Sequence, residues 1–123
     1  MEFKVKSKDF RLGNLIQMGN KVIEVTIDVL KSMESKYTEG VYLPLKLNEN
    51  FLKVNKLFEY SYDKTDKYPT YNINQSDIGF IQYSDDAEGY VLRDYNGDIA
   101  GIDYIHQLQN LFYSLTREEL VIN

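Results

Sequence analysis

Apolar residues recur at two different spacings along the chain, and each spacing predicts a different kind of element. Apolar residues lead from residue 12 into the dipeptide Gly19-Asn20, and beyond it they alternate with polar ones as far as residue 29. Alternation is typical of a strand with one buried face, and Gly-Asn is typical of a tight hairpin turn. The pattern therefore predicts two strands joined at Gly19-Asn20. Residues 31–40 are polar and have neither period, which predicts a loop.

Further strands are predicted around a second hairpin. Residues 41–43 form a short apolar run that Pro44 ends, because proline cannot donate to a strand ladder. Residues 78–83 and 90–95 are predicted to be neighbouring strands, and the second of them leads into Asn96-Gly97. Asn-Gly between apolar runs is the strongest local hairpin signal, since both central residues of the favoured turn need a positive φ.

Three- and four-residue spacings predict two helices. Asn48 is a good N-cap for a helix over residues 49–58, and residues 103–115 form an amphipathic helix. Thr116 and Glu119 have capping-box spacing, which predicts one more helical turn after it. The apolar faces comprise Phe51, Val54 and Phe58 in the first helix and Ile105, Leu108, Phe112 and Leu115 in the second.

These elements predict an α+β fold. We expect a mainly antiparallel sheet with the two hairpins, a central short helix, and a C-terminal amphipathic helix packed on the sheet. Residues 60–74 are rich in Tyr, Lys, Asp and Asn and are predicted to be a long loop or an edge strand. The whole chain, residues 1–123, is predicted to be a single domain.

The composition of the chain excludes several kinds of binding and catalytic site. The 123 residues carry a formal net charge of −5, which argues against a polycation that grips phosphate backbones. The chain has no Cys, which excludes disulfides, thiolate zinc sites and Cys nucleophiles, and its one His excludes a metal site that needs two imidazoles from one chain. Nucleotide-binding and hydrolase motifs are absent. We therefore expect no cofactor, no metal and no enzymatic activity.

No stretch of the sequence resembles a targeting signal or a membrane span. The N-terminal residues alternate charged with apolar side chains, and no window approaches 18 apolar residues. We therefore expect a cytoplasmic protein with no membrane partner.

Two segments are candidate interaction surfaces. Residues 84–103 carry six acidic residues against Arg93 alone, and such a one-sided field attracts basic partners, although turns are often acidic simply because they are solvated. Residues 51–71 interleave tyrosines with lysines, a pattern typical of single-strand nucleic-acid binding or of a protein contact. The candidate residues are Asp85, Asp86, Glu88, Asp94 and Asp98 in the first segment and Tyr60, Tyr62, Tyr68 and Tyr71 in the second.

The predicted C-terminal helix carries an unusual set of polar side chains. It is a candidate contact surface, or a general base with an orienting amide, because His106 and Asn110 are four residues apart and share a face. The alternative, which we favour, is that these side chains hydrogen-bond the flanking sheet or its loops. The residues concerned are His106, Gln107, Gln109, Asn110 and Tyr113.

Two stretches carry a resemblance to a known family. Residues 10–16 read FRLGNLI, which is similar to an "LRIGNLV" opening, and residues 104–120 read YIHQLQNLFYSLTREEL, which is similar to a "VHQLQNLYFALTGEEL" ending. Together they resemble a family of small uncharacterised proteins of bacterial phages, prophages and other mobile elements. Arg117 stands where that family usually has Gly. No activity is attached to the family, so no catalytic residue carries over.

The resemblance implies a biological context. Small proteins of mobile elements often bind a host factor, including components of antiviral defence such as CRISPR effectors. We therefore expect a non-enzymatic binding protein that modulates or inhibits a host protein or ribonucleoprotein, with an anti-CRISPR inhibitor as its sharpest version. The alternatives are a structural or assembly component, a weak nucleic-acid-binding accessory protein, and an enzyme using Asp94, Asp98 and His106. The oligomeric state is left open.

Overall fold

A computed structural model describes residues 9–35 and 41–122. Within these ranges the chain forms antiparallel strands in two sheets together with three helices, which confirms the predicted α+β class. The strands are β1 Leu15–Met18, β2 Lys21–Glu24, β3 Tyr42–Pro44, β4 Phe58–Ser61, β5 Thr70–Ile73, β6 Phe80–Ser84, β7 Gly89–Asp94 and β8 Gly97–Ile102, and the helices are α1 Ile27–Met33, α2 Glu49–Val54 and α3 Ile105–Thr116.

The chain divides into two compact units. Among the described residues, the first comprises residues 9–35, 41–46 and 104–110, and the second comprises residues 47–103 and 111–122. The first contains a three-stranded sheet in the order β2-β1-β3, and the second contains a five-stranded sheet in which β4 to β8 follow one another. Helix α3 contributes residues to both units. Whether residues 1–123 behave as a single domain stays a prediction.

The first hairpin forms where it is predicted. Met18 pairs with Lys21, so Gly19-Asn20 is a two-residue loop, and Gly19 has a φ of 61°. This unit buries Phe10, Ile16 and Val25, against which residues of α1 pack.

The second strand of that hairpin is shorter than predicted. It ends at Glu24, and the residues expected to continue it begin helix α1 instead. The cause is Thr26, whose backbone is extended and whose hydroxyl oxygen accepts the N–H of Val29 at 3.3 Å, as an N-cap does. The predicted loop over residues 31–40 is therefore helical as far as Met33, and residues 36–40 of that prediction lie outside the described residues.

Helix α2 begins as predicted but ends early. The Asn48 side chain accepts the N–H of Phe51 at 2.9 Å. The helix ends at Val54, because Asn55 has extended backbone and its side chain accepts the N–H of Leu57 at 3.1 Å. Phe58 belongs to β4, the edge strand of the larger sheet. Residues 60–74, predicted to be a long loop or an edge strand, contain the end of β4, a loop, and the whole of β5, which is an interior strand between β4 and β6.

The second hairpin forms with a different turn. Asp94 pairs with Gly97, so the central residues are Tyr95 and Asn96 rather than Asn96 and Gly97. Gly97 has a φ of 123°, whereas Asn96 is not among the residues with positive φ. The side chain of Asp94 accepts the N–H of Asn96 at 2.8 Å, which holds this turn.

Helix α3 agrees with the prediction except at its C-terminal end. Leu108 and Phe112 are fully buried, but Leu115 is 48% exposed. Thr116 is the last residue of the helix instead of starting another turn, and its hydroxyl donates to the Phe112 carbonyl at 2.8 Å. Arg117 then adopts a φ of 63°, and its N–H reaches the Tyr113 carbonyl at 2.7 Å, a common way to end a helix.

Candidate functional site

The polar side chains of helix α3 bind the segment that precedes β1. The Gln109 oxygen accepts the N–H of Leu15 at 2.8 Å, and the Gln109 amide nitrogen donates to the Gly13 carbonyl at 3.3 Å. Gln109 is only 4% exposed. This side chain therefore supplies backbone hydrogen bonds inside the first unit rather than a contact surface.

Asn110 makes the same kind of connection. Its side-chain oxygen accepts from the Arg11 Nε at 3.1 Å and from the Asn14 Nδ2 at 2.8 Å. Asn14 is fully buried, and its own side-chain oxygen accepts the Arg11 N–H at 2.6 Å. The two stretches that carry the family resemblance are thus hydrogen-bonded to each other, and this agrees with the structural interpretation of the motif.

The remaining polar residues of the motif also have local partners. The Gln107 side-chain oxygen accepts the N–H of Tyr104 at 3.0 Å, which caps the start of α3. Tyr113 is partly buried, and its carbonyl accepts the bond that ends the helix. Gln107 is exposed, so the role of these two side chains in a contact surface stays a prediction.

His106 is buried between aromatic rings. It is 4% exposed, its ring centroid lies 4.3 Å from that of Phe10, and it stacks on Tyr104 at 5.8 Å. Its Nδ1 has no hydrogen-bond partner among the described residues. Burial lowers the pKa of His106, and the nearby charge of Asp9 opposes this shift only in part. These surroundings are those of a neutral packing residue rather than of a general base.

The tyrosine-rich segment and the acidic turn meet at Asp85. One carboxylate oxygen accepts the Tyr68 hydroxyl at 2.6 Å, and the other binds the Lys67 ammonium at 2.7 Å. Both contacts lower the pKa of Asp85, with Lys67 the larger cause, so this carboxylate stays charged well below neutral pH. Two features that are separate in the sequence therefore form one exposed surface.

The other acidic candidates differ in how much of their charge is available. Asp86 and Glu88 are exposed in the turn between β6 and β7. Asp98 is paired with Arg93 at 2.5 Å, and Asp94 holds the β7–β8 turn. Asp86 and Glu88 are therefore the acidic candidates that lie exposed beside Asp85, in the same turn.

The four candidate tyrosines are not equally accessible. Tyr60 and Tyr62 are about half exposed, and Tyr68 is partly buried. Tyr71 is only 1% exposed, so it does not contribute to an exposed contact surface, contrary to the prediction. It points inward because its ring alternates with exposed neighbours along β5.

A cleft of about 350 Å³ lies beside this surface, within the second unit. Tyr83 and Tyr90 line it and were not among the predicted site residues. Tyr83 and Tyr90 are paired residues on the neighbouring strands β6 and β7. Because both strands were predicted from the sequence, the pairing of these two tyrosines could have been predicted as well. The residues that line the cleft are Glu49, Tyr68, Pro69, Tyr71, Tyr83 and Tyr90, and we call it the tyrosine cleft.

The described residues offer neither a metal-binding cluster nor a membrane-spanning helix. Among residues 9–35 and 41–122 there is no group of three or more His, Cys, Asp or Glu side chains suited to hold a metal ion. In the same ranges α3 is the longest helix, with 12 residues, and no helix has the length and apolar character needed to cross a bilayer.

Comparison with known proteins returned nothing. No protein-family model, no curated protein and no solved structure matches the chain. The functional proposal therefore depends on the geometry of the site and on the sequence resemblance.

Proposed function

We propose that the chain is a non-enzymatic binding protein that recognises a basic surface on a protein partner. The observation that supports this is the contact of Tyr68 and Lys67 with Asp85, which joins the acidic turn to the tyrosine segment. The acid–tyrosine surface is made of Tyr68, Asp85, Asp86 and Glu88. Tyrosine supplies contact area at low entropic cost, and carboxylates supply orientation and a faster encounter with a basic partner.

A protein partner is favoured over nucleic acid because two of the four lysines in residues 51–71 are paired with carboxylates. Lys67 is paired with Asp85, and Lys53 is paired with Glu49 at 2.6 Å. Lysines held by carboxylates contribute little to phosphate binding, which depends on releasing counterions from the nucleic acid. Nucleic-acid binding therefore stays the weaker alternative.

The family resemblance suggests which class of protein the partner belongs to. Within a phage or mobile-element context, the partner is a host protein or ribonucleoprotein that the chain modulates or inhibits. CRISPR effectors present basic nucleic-acid channels, and an acidic protein that occupies such a channel acts as an anti-CRISPR inhibitor. Anti-CRISPR inhibition is the most specific form of the proposal.

The test compares two double variants of equal charge. In a pull-down from bacterial lysate, the immobilised wild-type chain should retain a partner that elutes as salt rises. The variant Asp86→Asn with Glu88→Gln should lose it, because the exposed charges are removed while the Asp85 contacts remain. The variant Glu59→Gln with Glu118→Gln removes the same charge elsewhere and should retain it.

Two results would contradict the proposal. Retention of no protein by the wild-type chain at micromolar concentration would remove the binding function. Equal retention by both double variants would remove the acid–tyrosine surface as the contact. Self-association of the chain in light scattering, without any captured partner, would favour an assembly component instead.

A further inference from the structure

We propose that the tyrosine cleft binds an organic cation that carries N–H groups, either an alkylammonium or a guanidinium. The shared chemistry is that of a lysine or arginine side chain and of a free amine or guanidine. The inference does not require the proposed function to be correct, because it concerns the cleft and not the acidic turn.

The walls of the cleft are aromatic faces and edges set at steep angles. The Tyr68 and Tyr83 centroids are 4.9 Å apart with an interplanar angle of 64°, and those of Tyr83 and Tyr90 are 5.5 Å apart at 86°. Rings in such arrangements present their electron-rich faces in different directions, and cations bind to those faces. The chain already shows this chemistry, since the Lys67 ammonium lies 5.5 Å from the Tyr68 centroid.

A carboxylate completes the electrostatics. Glu49 lines the cleft, and its side chain is 59% exposed although it is paired with Lys53. Burial is the main cause that raises the pKa of Tyr71 and Tyr90, and the charge of Glu49 raises both further. The carboxylate is therefore within electrostatic reach of both hydroxyls, and it can share its charge between Lys53 and a bound cation.

Tyr71 determines which kind of cation fits. Its hydroxyl is buried and has no hydrogen-bond partner among the described residues. Buried polar atoms in folded proteins nearly always have a partner, so this one is the exception that a ligand can satisfy. An ammonium or guanidinium can donate a hydrogen bond to the hydroxyl oxygen, whereas a quaternary ammonium cannot. The cleft volume of about 350 Å³ suits a single such group with its alkyl stem.

The experiment titrates the full chain with small probes and follows tyrosine signals by NMR. The probes are N-acetyl-lysine methylamide and N-acetyl-arginine methylamide, with propylammonium as the free amine. Their controls are the ε-acetylated lysine and citrulline analogues, which have no charge, and tetramethylammonium, which has no N–H. We expect saturable binding of the charged N–H probes that is at least about fivefold tighter than that of any control.

Variants identify the site. Glu49→Gln and Tyr83→Leu should each weaken binding by about fivefold or more, while Tyr95→Leu, a change at a fully exposed tyrosine outside the cleft, should leave it within about twofold. Tyr71→Phe should weaken the N–H probes and leave tetramethylammonium unchanged. If Tyr83→Leu does not fold, Glu49→Gln decides, because this carboxylate is exposed.

The outcomes distinguish a partner side chain from a free amine as the bound cation, and they test the cation site independently of the proposed protein-binding function. Tighter binding of the capped amino acids indicates a partner side chain, and tighter binding of propylammonium indicates a free amine. Absence of binding at millimolar concentration, or equal binding of the uncharged analogues, would overturn the inference. Neither result would alter the retention of a lysate partner through Asp86 and Glu88.

Discussion

His106 illustrates how a single buried side chain couples stability to pH. Its pKa in the unfolded chain is near the ordinary 6.5, and burial lowers it in the folded protein. Below pH 6.5 the unfolded chain therefore takes up a proton that the folded protein resists. Consequently, the free energy of unfolding should fall as the pH drops through this value, and the contribution of His106 is fully present only above it.

The variant His106→Phe tests this coupling. Phenylalanine keeps an aromatic ring beside Phe10 and Tyr104 but has no proton to bind, so the decrease between about pH 7.5 and about pH 5.5 should become smaller. Urea unfolding at several pH values gives the measurement. The pKa values of Asp63 and Asp85 are lowered from the ordinary 3.8, so the stability that these carboxylates contribute is lost only below about pH 5, outside this window. Identical pH slopes for the two proteins would mean that His106 is not buried as described.

Gly79 gives a prediction about the backbone. It has a φ of 135°, and a Cβ added there would lie 2.1 Å from the Arg93 carbonyl oxygen. Gly79→Ala should lower the free energy of unfolding by at least about 2 kcal/mol, because neither the conformation nor the space accepts a side chain. Gly101→Ala is the matched control, since an added Cβ there meets nothing within 4 Å, and it should change stability by less than about 0.5 kcal/mol. Equal losses of unfolding free energy for the two variants in chemical denaturation would mean that Gly79 does not lie against the Arg93 carbonyl as described.

Helix α3 packs as the sequence predicted at Leu108 and Phe112 but not at Leu115. Phe112 is fully buried while Leu115, one turn later, is 48% exposed. Phe112→Ala should therefore cost about 3–5 kcal/mol of stability, and Leu115→Ala should cost far less. Thermal unfolding followed by circular dichroism measures both. A small loss for Phe112→Ala would place the apolar face of the helix elsewhere.

The end of α3 gives a prediction of the opposite sign. Arg117 holds a φ of 63°, which costs a residue with a Cβ roughly 1–2 kcal/mol relative to its ordinary conformations. Arg117→Gly should therefore raise the melting temperature, offset in part by the entropy that glycine loses on folding. Arg117→Ala removes the same side chain but keeps the Cβ and should give no gain. An increase for both variants would mean that the arginine side chain, and not the backbone, is unfavourable.

Elements were predictable from the sequence where a local signal decides them. The hairpin at Gly19-Asn20 and the N-cap Asn48 depend on neighbouring residues, and both formed as expected. Helix α1 was missed because β-branched residues at alternate positions favour a strand, whereas the Thr26 hydroxyl caps a helix at the same place. The turn at Tyr95-Asn96 moved by one residue because the Asp94 side chain supplies a hydrogen bond that the dipeptide signal ignores.

The candidate sites were less predictable because their residues are distant in sequence. Asp85 meets Tyr68 and Lys67 across 17 and 18 residues, and nothing in either segment specifies the other. The tyrosine cleft collects residues from Glu49 to Tyr90, so it exists only once the strand order of the larger sheet is known. The individual tyrosines were recognisable, but their grouping was not.

At the scale of the whole molecule, the two compact units raise the question of cooperativity. Helix α3 belongs to both, so we expect the chain to unfold in one transition, as the prediction of a single domain requires. Differential scanning calorimetry should give equal calorimetric and van't Hoff enthalpies. Two resolved transitions, with Asn14→Ala lowering one and Gly79→Ala lowering the other, would contradict a single domain.

The hydrogen bond between Asn14 and Asn110 has a consequence for biosynthesis. The two residues are 96 positions apart, and the first unit is interrupted in sequence by most of the second. The early hairpin therefore leaves the ribosome long before the segment of α3 that hydrogen-bonds its buried amide groups. In the larger sheet, by contrast, each strand pairs with the strand synthesised just before it. The early hairpin of the nascent chain should therefore gain protease resistance only once residue 110 has left the ribosome, and the second unit should be completed after it, when residues 111–123 have emerged.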